Sequence, residues 1–391
     1  MDTNEKYFVS LISSYLNNEE PITPENNIDW NKIYDLSAIH NVAAIVGNQI
    51  LKIKDNCPDA EILSKFKQQI GYTLIDADEK ENTINFARTF LCENNIDFIF
   101  VKGAILRNYY PIKEFRTGSD IDIVIRNENF CTCEQLLRDN NCKVVNQGSK
   151  VFTLYINNQH IEFHNVANYD NPYFKDIFDM CSKTNTNEYL INNENHLIYV
   201  LCHIIKHFNS CGAGIKMFMD IDAIIRKIKD FDYDGFMNIC KEINMETFAK
   251  ASLSLCHYWF STPVRCELDF EENSEFIKLF ETEIINGGNF GFNSRNLGNY
   301  YVNKGASNSG KVNLATKIRA LFILTFPPKK EMKNNYTYLN KAPYLLPLAW
   351  ISRICTGAFK RSSHSKGTIK SIMKTGKESE QYIKLLKELN I

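Results

Sequence analysis

Apolar residues recur at three- and four-residue steps over residues 7–16 and again from Asp29-Trp30 through Ile53. Over residues 60–94 the series Ile62, Phe66, Ile70, Leu74, Ile75, Ile84, Phe86 and Phe90 keeps that spacing. The period predicts helices, and Asn94-Asn95 closes the last of them. His40 falls within this helical stretch and reads as a packed or surface residue. Beyond it the period shortens. Phe98-Ile-Phe-Val101 is an apolar run entering a Lys102-Gly103 turn, and a short helical segment ends at Tyr110-Pro111. After the loop over residues 112–119, Asp120-Ile-Asp-Ile-Val-Ile125 alternates as a strand does. A helix is expected over residues 128–139 and a strand over residues 143–146. The runs 151–156 and 160–164 then form a hairpin around a three-residue turn, Asn157-Asn158-Gln159.

From 171 to 285 the pattern reads as helices throughout. Residues 286–310, rich in Asn, Gly and Ser, read as a loop or linker and as a candidate mobile lid. Residues 318–328 and 344–353 are apolar with basic flanks, and residues 366–389 form an amphipathic helix with a lysine-rich outer face. The expected fold class is α+β: a small mixed sheet flanked by N-terminal and C-terminal helical regions. Five segments follow: a helical region 1–94, a mixed-sheet core 95–170, a second helical region 171–285, a linker 286–312 and a basic helical region 313–391.

The chemistry gathers at the second strand. Asp120 and Asp122 project to one face, with backbones about 6–7 Å apart, while Ile121, Ile123 and Ile125 face the other. Two like charges about 4 Å apart cost roughly 4 kcal/mol at an effective dielectric near 20. A divalent cation removes that cost, and hard cations such as magnesium favour carboxylate oxygens with substrate phosphates. His160, Glu162 and His164 share a face opposite Ile161 and Phe163, so Glu162 offers a third carboxylate. Three such ligands can hold two ions that clamp a phosphoryl displacement. No glycine-rich dinucleotide fingerprint or Walker-type loop occurs, which argues against Rossmann and P-loop classes. His203 and His207 lie one turn apart, but Ile204 and Ile205 stand where a metalloprotease motif needs its glutamate. Packing, or contact with nucleotide or substrate alongside Lys216 and Asp220, remains for them.

Val101-Lys-Gly, Pro111, Arg116, Asp120-Ile-Asp-Ile-Val and Ile161-Glu-Phe-His164 together resemble the DNA polymerase β-type nucleotidyltransferase superfamily. More narrowly, they resemble a bacterial nucleotidyltransferase family whose core reads Lys-Gly, Tyr-Pro, Arg, Asp-h-Asp and Glu-h-His, with h apolar. The resemblance implies that Asp120, Asp122 and Glu162 are the catalytic, metal-binding carboxylates, holding two Mg2+ or Mn2+ ions. It implies an NTP substrate such as ATP, with Lys102, Gly103, Arg116 and Ser119 at its phosphates and His164 beside the site. Lys102-Gly103 stands where the wider superfamily carries Gly-Ser or Gly-Gly. The helical block would cover the nucleotide and present His203, His207, Lys216 and Asp220. The implied reaction moves a nucleoside monophosphate to an acceptor hydroxyl on RNA, protein or a small molecule and releases pyrophosphate. Two rival readings are a non-catalytic nucleotide-binding scaffold that docks an acidic partner, and a toxin-like transferase acting on tRNA or protein.

Composition adds little until charge is mapped. The 391 residues are 44% hydrophobic and 23% charged, as in ordinary globular proteins. No secretory signal and no run long enough to span a bilayer is evident. Twelve cysteines without Cys-x-x-Cys spacing suit a reduced, cytoplasmic protein. The formal net charge of −1 hides an asymmetry: residues 303–391 carry 17 Lys and Arg against 4 Glu, and the rest carries 28 against 42 acidic residues. A basic region on an acidic body points to docking on nucleic acid or an anionic membrane surface. The apolar stretches 318–328 and 344–353 add the prospect of monotopic membrane contact.

Overall fold

The computed structural model describes residues 1–148, 150–166, 171–209, 212–288, 294–306, 311–333, 336–359 and 362–391. Four helices open the chain: α1 (Thr3–Leu16), α2 (Trp30–Ile39), α3 (Ala43–Ile50) and α4 (Ala60–Glu93). The single apolar run expected after Asp29 is thus two helices, broken at Asn41, whose φ of +56° suits asparagine better than most residues. Asp59 caps α4 by accepting from the Ile62 amide.

The sheet begins with β1 (Phe98–Val101), followed by the one-turn α5 (Gly103–Leu106), β2 (Ile121–Ile125) and α6 (Asn127–Asp139). Strands β3 (Lys143–Asn146), β4 (Val151–Ile156) and β5 (Gln159–His164) come next. The β4–β5 turn is tighter than expected. Ile156 pairs with Gln159, so two residues make the turn, and Asn157 supplies the positive φ.

The segment read as wholly helical contributes two further strands, β6 (Cys181–Lys183) and β7 (Glu188–Ile191). Both are too short to register a two-residue period. They are held by pairing with each other and, for β7, with β1. The seven-stranded mixed sheet has the order β3-β4-β5-β2-β1-β7-β6, with β2 parallel to β5 and antiparallel to β1.

Helices α7 (Asn193–Phe208), α8 (Ile215–Lys227), α9 (Tyr233–Glu242), α10 (Glu246–Phe260) and α11 (Glu275–Gly287) follow. Beyond them come α12 (Ser294–Gly305), α13 (Leu314–Thr325), α14 (Lys329–Met332), α15 (Leu346–Phe359), α16 (Ser362–Lys374) and α17 (Lys377–Glu388). Two expectations change here. The proposed linker contains α12 and the end of α11, while its stretches 289–293 and 307–310 lie outside the described residues. The final amphipathic stretch is two helices, parted at Thr375-Gly376.

The two faces of the sheet belong to different cores. Ile121, Ile123, Ile125, Ile161 and Phe163 pack with Ile84, Ala87 and Leu91 of α4 and with Phe130 of α6. Ile99, Val101 and Val124 join the larger core, built with α1, α3 and α7 to α11. Side chains alternate along strands, so Asp122 and Glu162 are turned toward that larger, helix-covered side. His40 is indeed packed: it is buried, its Nε2 donates to the Ile285 carbonyl (3.0 Å), and its Nδ1 accepts from Ile215 (3.3 Å).

Candidate active site

Parallel pairing of β2 with β5 sets Asp122 beside Glu162 and Val124 beside His164. On the other side, Val101 at the end of β1 pairs with Asp122, so the next residue, Lys102, turns over the carboxylate. Its Nζ donates to Asp122 Oδ1 at 2.8 Å. His164 Nε2 lies 3.0 Å from the same oxygen and 3.6 Å from Glu162 Oε2. Asp122 is only 3% exposed. Burial alone would raise its pKa, but the Lys102 ammonium and the His164 hydrogen bond overcome this and hold the carboxyl well below the usual range. An ionised carboxylate only accepts, so Nε2 is the histidine's donor. Its Nδ1 is buried with no hydrogen-bond partner among the described residues.

Lys102 reaches this position at a backbone cost. Its φ of +51° with ψ of −126° is a conformation that residues with a Cβ rarely adopt. Glycine occupies it freely.

The loop over residues 112–119 is pinned from three directions. Tyr15 of α1 donates to the Ile112 carbonyl (3.1 Å), Thr117 Oγ1 donates to the Asn41 carbonyl (2.6 Å), and Lys80 of α4 donates to the Gly118 carbonyl. Lys216 Nζ of α8 adds a bond to the Thr117 carbonyl (3.2 Å). Arg116 grips Asp220 with two nitrogens, Nη2–Oδ2 at 2.7 Å and Nε–Oδ1 at 3.2 Å, and the Tyr110 hydroxyl donates to Oδ1 at 2.7 Å. A Cβ on Gly103 would lie 2.2 Å from Arg116 Nη1, and one on Gly118 would lie 2.9 Å from it. The close approach these glycines permit here is by a guanidinium, and the helix that Gly103 opens is a single turn.

One cleft gathers these groups. Its walls include Lys102, Gly103, Arg116, Ser119, Asp120, Asp122 and Glu162 from the sheet side, and His203, His207, Lys216 and Asp220 from α7 and α8. The residues singled out from the sequence for this site line it, except His160 and His164; His164 lies against Asp122. His160 is not among the lining residues and sits beside the Tyr155 ring at 6.0 Å.

The helical wall is cationic or neutral by circumstance. Burial pulls the Lys216 amine down to about 7, with Arg116 adding to the effect. Burial, then Lys102 and Lys206, lowers His207 to about 4, and His203 falls well below its ordinary value for like reasons. Their rings meet edge to face at 4.5 Å.

Sequence reasoning missed Lys206 and Gly118, which line the cleft, and Lys80, Tyr110 and Thr117, which fix its loop. Lys206 stands between the two histidines and carried a signal that went unused. Lys80 is one of three lysines on the long helix α4, and nothing local marks it.

The carboxylates of this cluster suit a hard cation. Ligand atoms of Asp122, Glu162 and His164 all lie within 4.8 Å of one another, and Asp120 lines the same cleft outside that group. This differs from the expected Asp120, Asp122 and Glu162. Burial raises the Glu162 pKa, and the Asp122 and Asp120 carboxylates raise it further. A divalent cation would relieve that repulsion.

Neighbouring strands that turn carboxylates into a lysine- and histidine-walled cleft define a nucleotidyltransferase domain. The family model described as Uncharacterised nucleotidyltransferase matches residues 26–261, more than half of the chain, and the chain belongs to that family. The match runs from just before α2 to the end of α10, so α4, α7 and α8, which pin the loop or wall the cleft, fall inside it, while α1 with Tyr15 lies outside. Among curated proteins none matches the chain.

Proposed function

We propose that the chain transfers a nucleoside monophosphate from an NTP, with ATP as the first candidate, to an acceptor hydroxyl on RNA, protein or a small molecule. The observation that carries this reading is the register of Asp122 with Glu162 across β2 and β5, in one cleft with Asp120. Asp120, Asp122 and Glu162 would hold two Mg2+ or Mn2+ ions, which when bound neutralise phosphate charge and activate the attacking oxygen.

The chain's own residues do the rest. His164 and Lys102 fix the orientation of Asp122. Glu162 takes the acceptor hydroxyl's proton as that oxygen bonds to the α-phosphorus. The bond from the α-phosphorus to the bridging oxygen breaks, and pyrophosphate departs with the electron pair. Lys206 and Lys216 face that developing charge. His203 and His207, neutral and apolar-backed, close the cleft against water. Unpaired thiols throughout the described cysteines fit a reduced, cytoplasmic setting.

The test is incubation of the purified chain with each α-labelled NTP, magnesium or manganese, and cell extract, followed by separation of RNA, protein and small molecules. Wild-type protein should label one class, and Glu162→Gln and Asp120→Asn should not. Transfer at the wild-type rate by Glu162→Gln sinks the proposal. Label on tRNA or protein together with growth arrest would assign the toxin-like form of the activity.

One observation favours a second reading. Lys102 already neutralises Asp122, as a binding module without turnover would require. NTP binding by the wild type with no label transferred to any class would support that alternative.

A further inference from the structure

Between residues 311 and 374 the chain carries 13 Lys and Arg against one acidic residue, Glu331. Within that span two helices turn apolar side chains outward. Leu314, Ile318 and Phe322 stand one turn apart on α13. Tyr344, Leu348 and Ile351 form a matching row on α15 and the turn before it. All six are between 58% and 78% exposed. Rings join the rows: Phe322 lies 5.0 Å from Phe326, which continues the α13 row, and Phe326 meets Trp350 of α15 edge to face at 5.4 Å. Trp350 Nε1 donates to the Pro327 carbonyl at 2.8 Å, fixing the two helices together. Single exposed leucines are ordinary on protein surfaces. Two linked rows of them in so basic a zone are not.

We propose that α13 and α15 form a docking face for an anionic lipid bilayer, on which the protein lies without crossing. No helix among the described residues is long and apolar enough to span a membrane. An amphipathic surface with Lys and Arg around large apolar residues instead settles at the headgroup boundary, where lipid charge attracts the former and acyl chains receive the latter. Charge also sets the orientation. The body before residue 303 has 28 basic against 42 acidic residues, so an anionic surface repels it while drawing in the C-terminal region.

The same charge opposes a second copy of the chain docking through the same face. A nucleic acid would engage the lysines and stack on the rings, but would leave Leu314, Ile318, Leu348 and Ile351 in water.

Flotation of the full chain with lipid vesicles tests this. At about 0.1 M salt it should float with vesicles containing phosphatidylglycerol and stay down with pure phosphatidylcholine. The double variant Ile318→Ser/Phe322→Ser should lower the bound fraction roughly tenfold or more, as should Leu348→Ser/Ile351→Ser on the other helix. Melting curves that match the wild type would show both variants folded. Failure to float with anionic vesicles overturns the proposal, and so does undiminished flotation of both variants. Flotation abolished by a single-stranded RNA oligonucleotide overturns it in favour of nucleic acid.

Discussion

The cleft and the C-terminal helices treat charge in opposite ways. In and around the cleft, cations meet acids at short range: Lys102 with Asp122, Arg116 with Asp220, and Lys80 with Asp76. Between residues 311 and 374 one acid stands among 13 bases. The difference follows from water. A charge taken out of solvent must be matched where it stands, or its desolvation goes uncompensated. A solvated charge needs no internal partner, so its field remains available to something outside. The paired region therefore defines a matched site, and the basic one leaves a field that can act beyond the chain.

That contrast can be broken most severely at Arg116. Arg116→Met leaves the buried Asp220 with only the Tyr110 hydroxyl among its observed partners, and should cost about 3–5 kcal/mol in urea unfolding. A loss under about 1 kcal/mol would show that local matching does not govern the cleft.

Next comes Lys102. Lys102→Gly and Lys102→Ala both remove the ammonium, but glycine tolerates a φ of +51° and alanine does not. The glycine variant should be the more stable of the two by about 1–3 kcal/mol, the reverse of the usual ranking.

The third test uses pH. The Lys216 pKa is pulled from 10.5 to about 7 in the folded chain. Its stabilising contribution is therefore complete above the unfolded value and is lost as pH falls toward the folded one. Between these values the unfolded state holds the extra proton, so stability rises with pH by at most about 1.4 kcal/mol per unit. Lys216→Met should remove that share of the slope in melts between pH 8 and pH 10.

The smallest effect belongs to the exposed face. Phe322→Ser should leave unfolding free energy within about 0.5 kcal/mol of the wild type. A larger loss would mean that this face is part of the core.

The family match sharpens the same division. It ends with α10, whereas the basic helices lie beyond it. The paired cleft lies within the matched span, and the basic surface lies outside it.

Much of the site was visible along the chain because two-residue spacing dictates a common face. Asp120 with Asp122, and Glu162 with His164, could be assigned to one side of their strands without coordinates. The helical cover was visible as three- and four-residue periodicity, and the charge asymmetry by counting. What spacing does not carry is which strand lies beside which.

The pairing of β2 with β5 made His164 a partner of Asp122 and left Asp120 outside the tightest ligand group. The bond from Arg116 to Asp220 joins residues 104 apart, and Lys80 reaches Gly118 across 38. β6 and β7 escaped notice because a three- or four-residue strand has too few positions to show a period. Local sequence fixes the direction in which a side chain leaves its own element, through backbone geometry that each residue senses directly. Which opposite charge it then meets depends on how distant elements pack, and only the closed fold, through burial and exclusion of water, makes that choice.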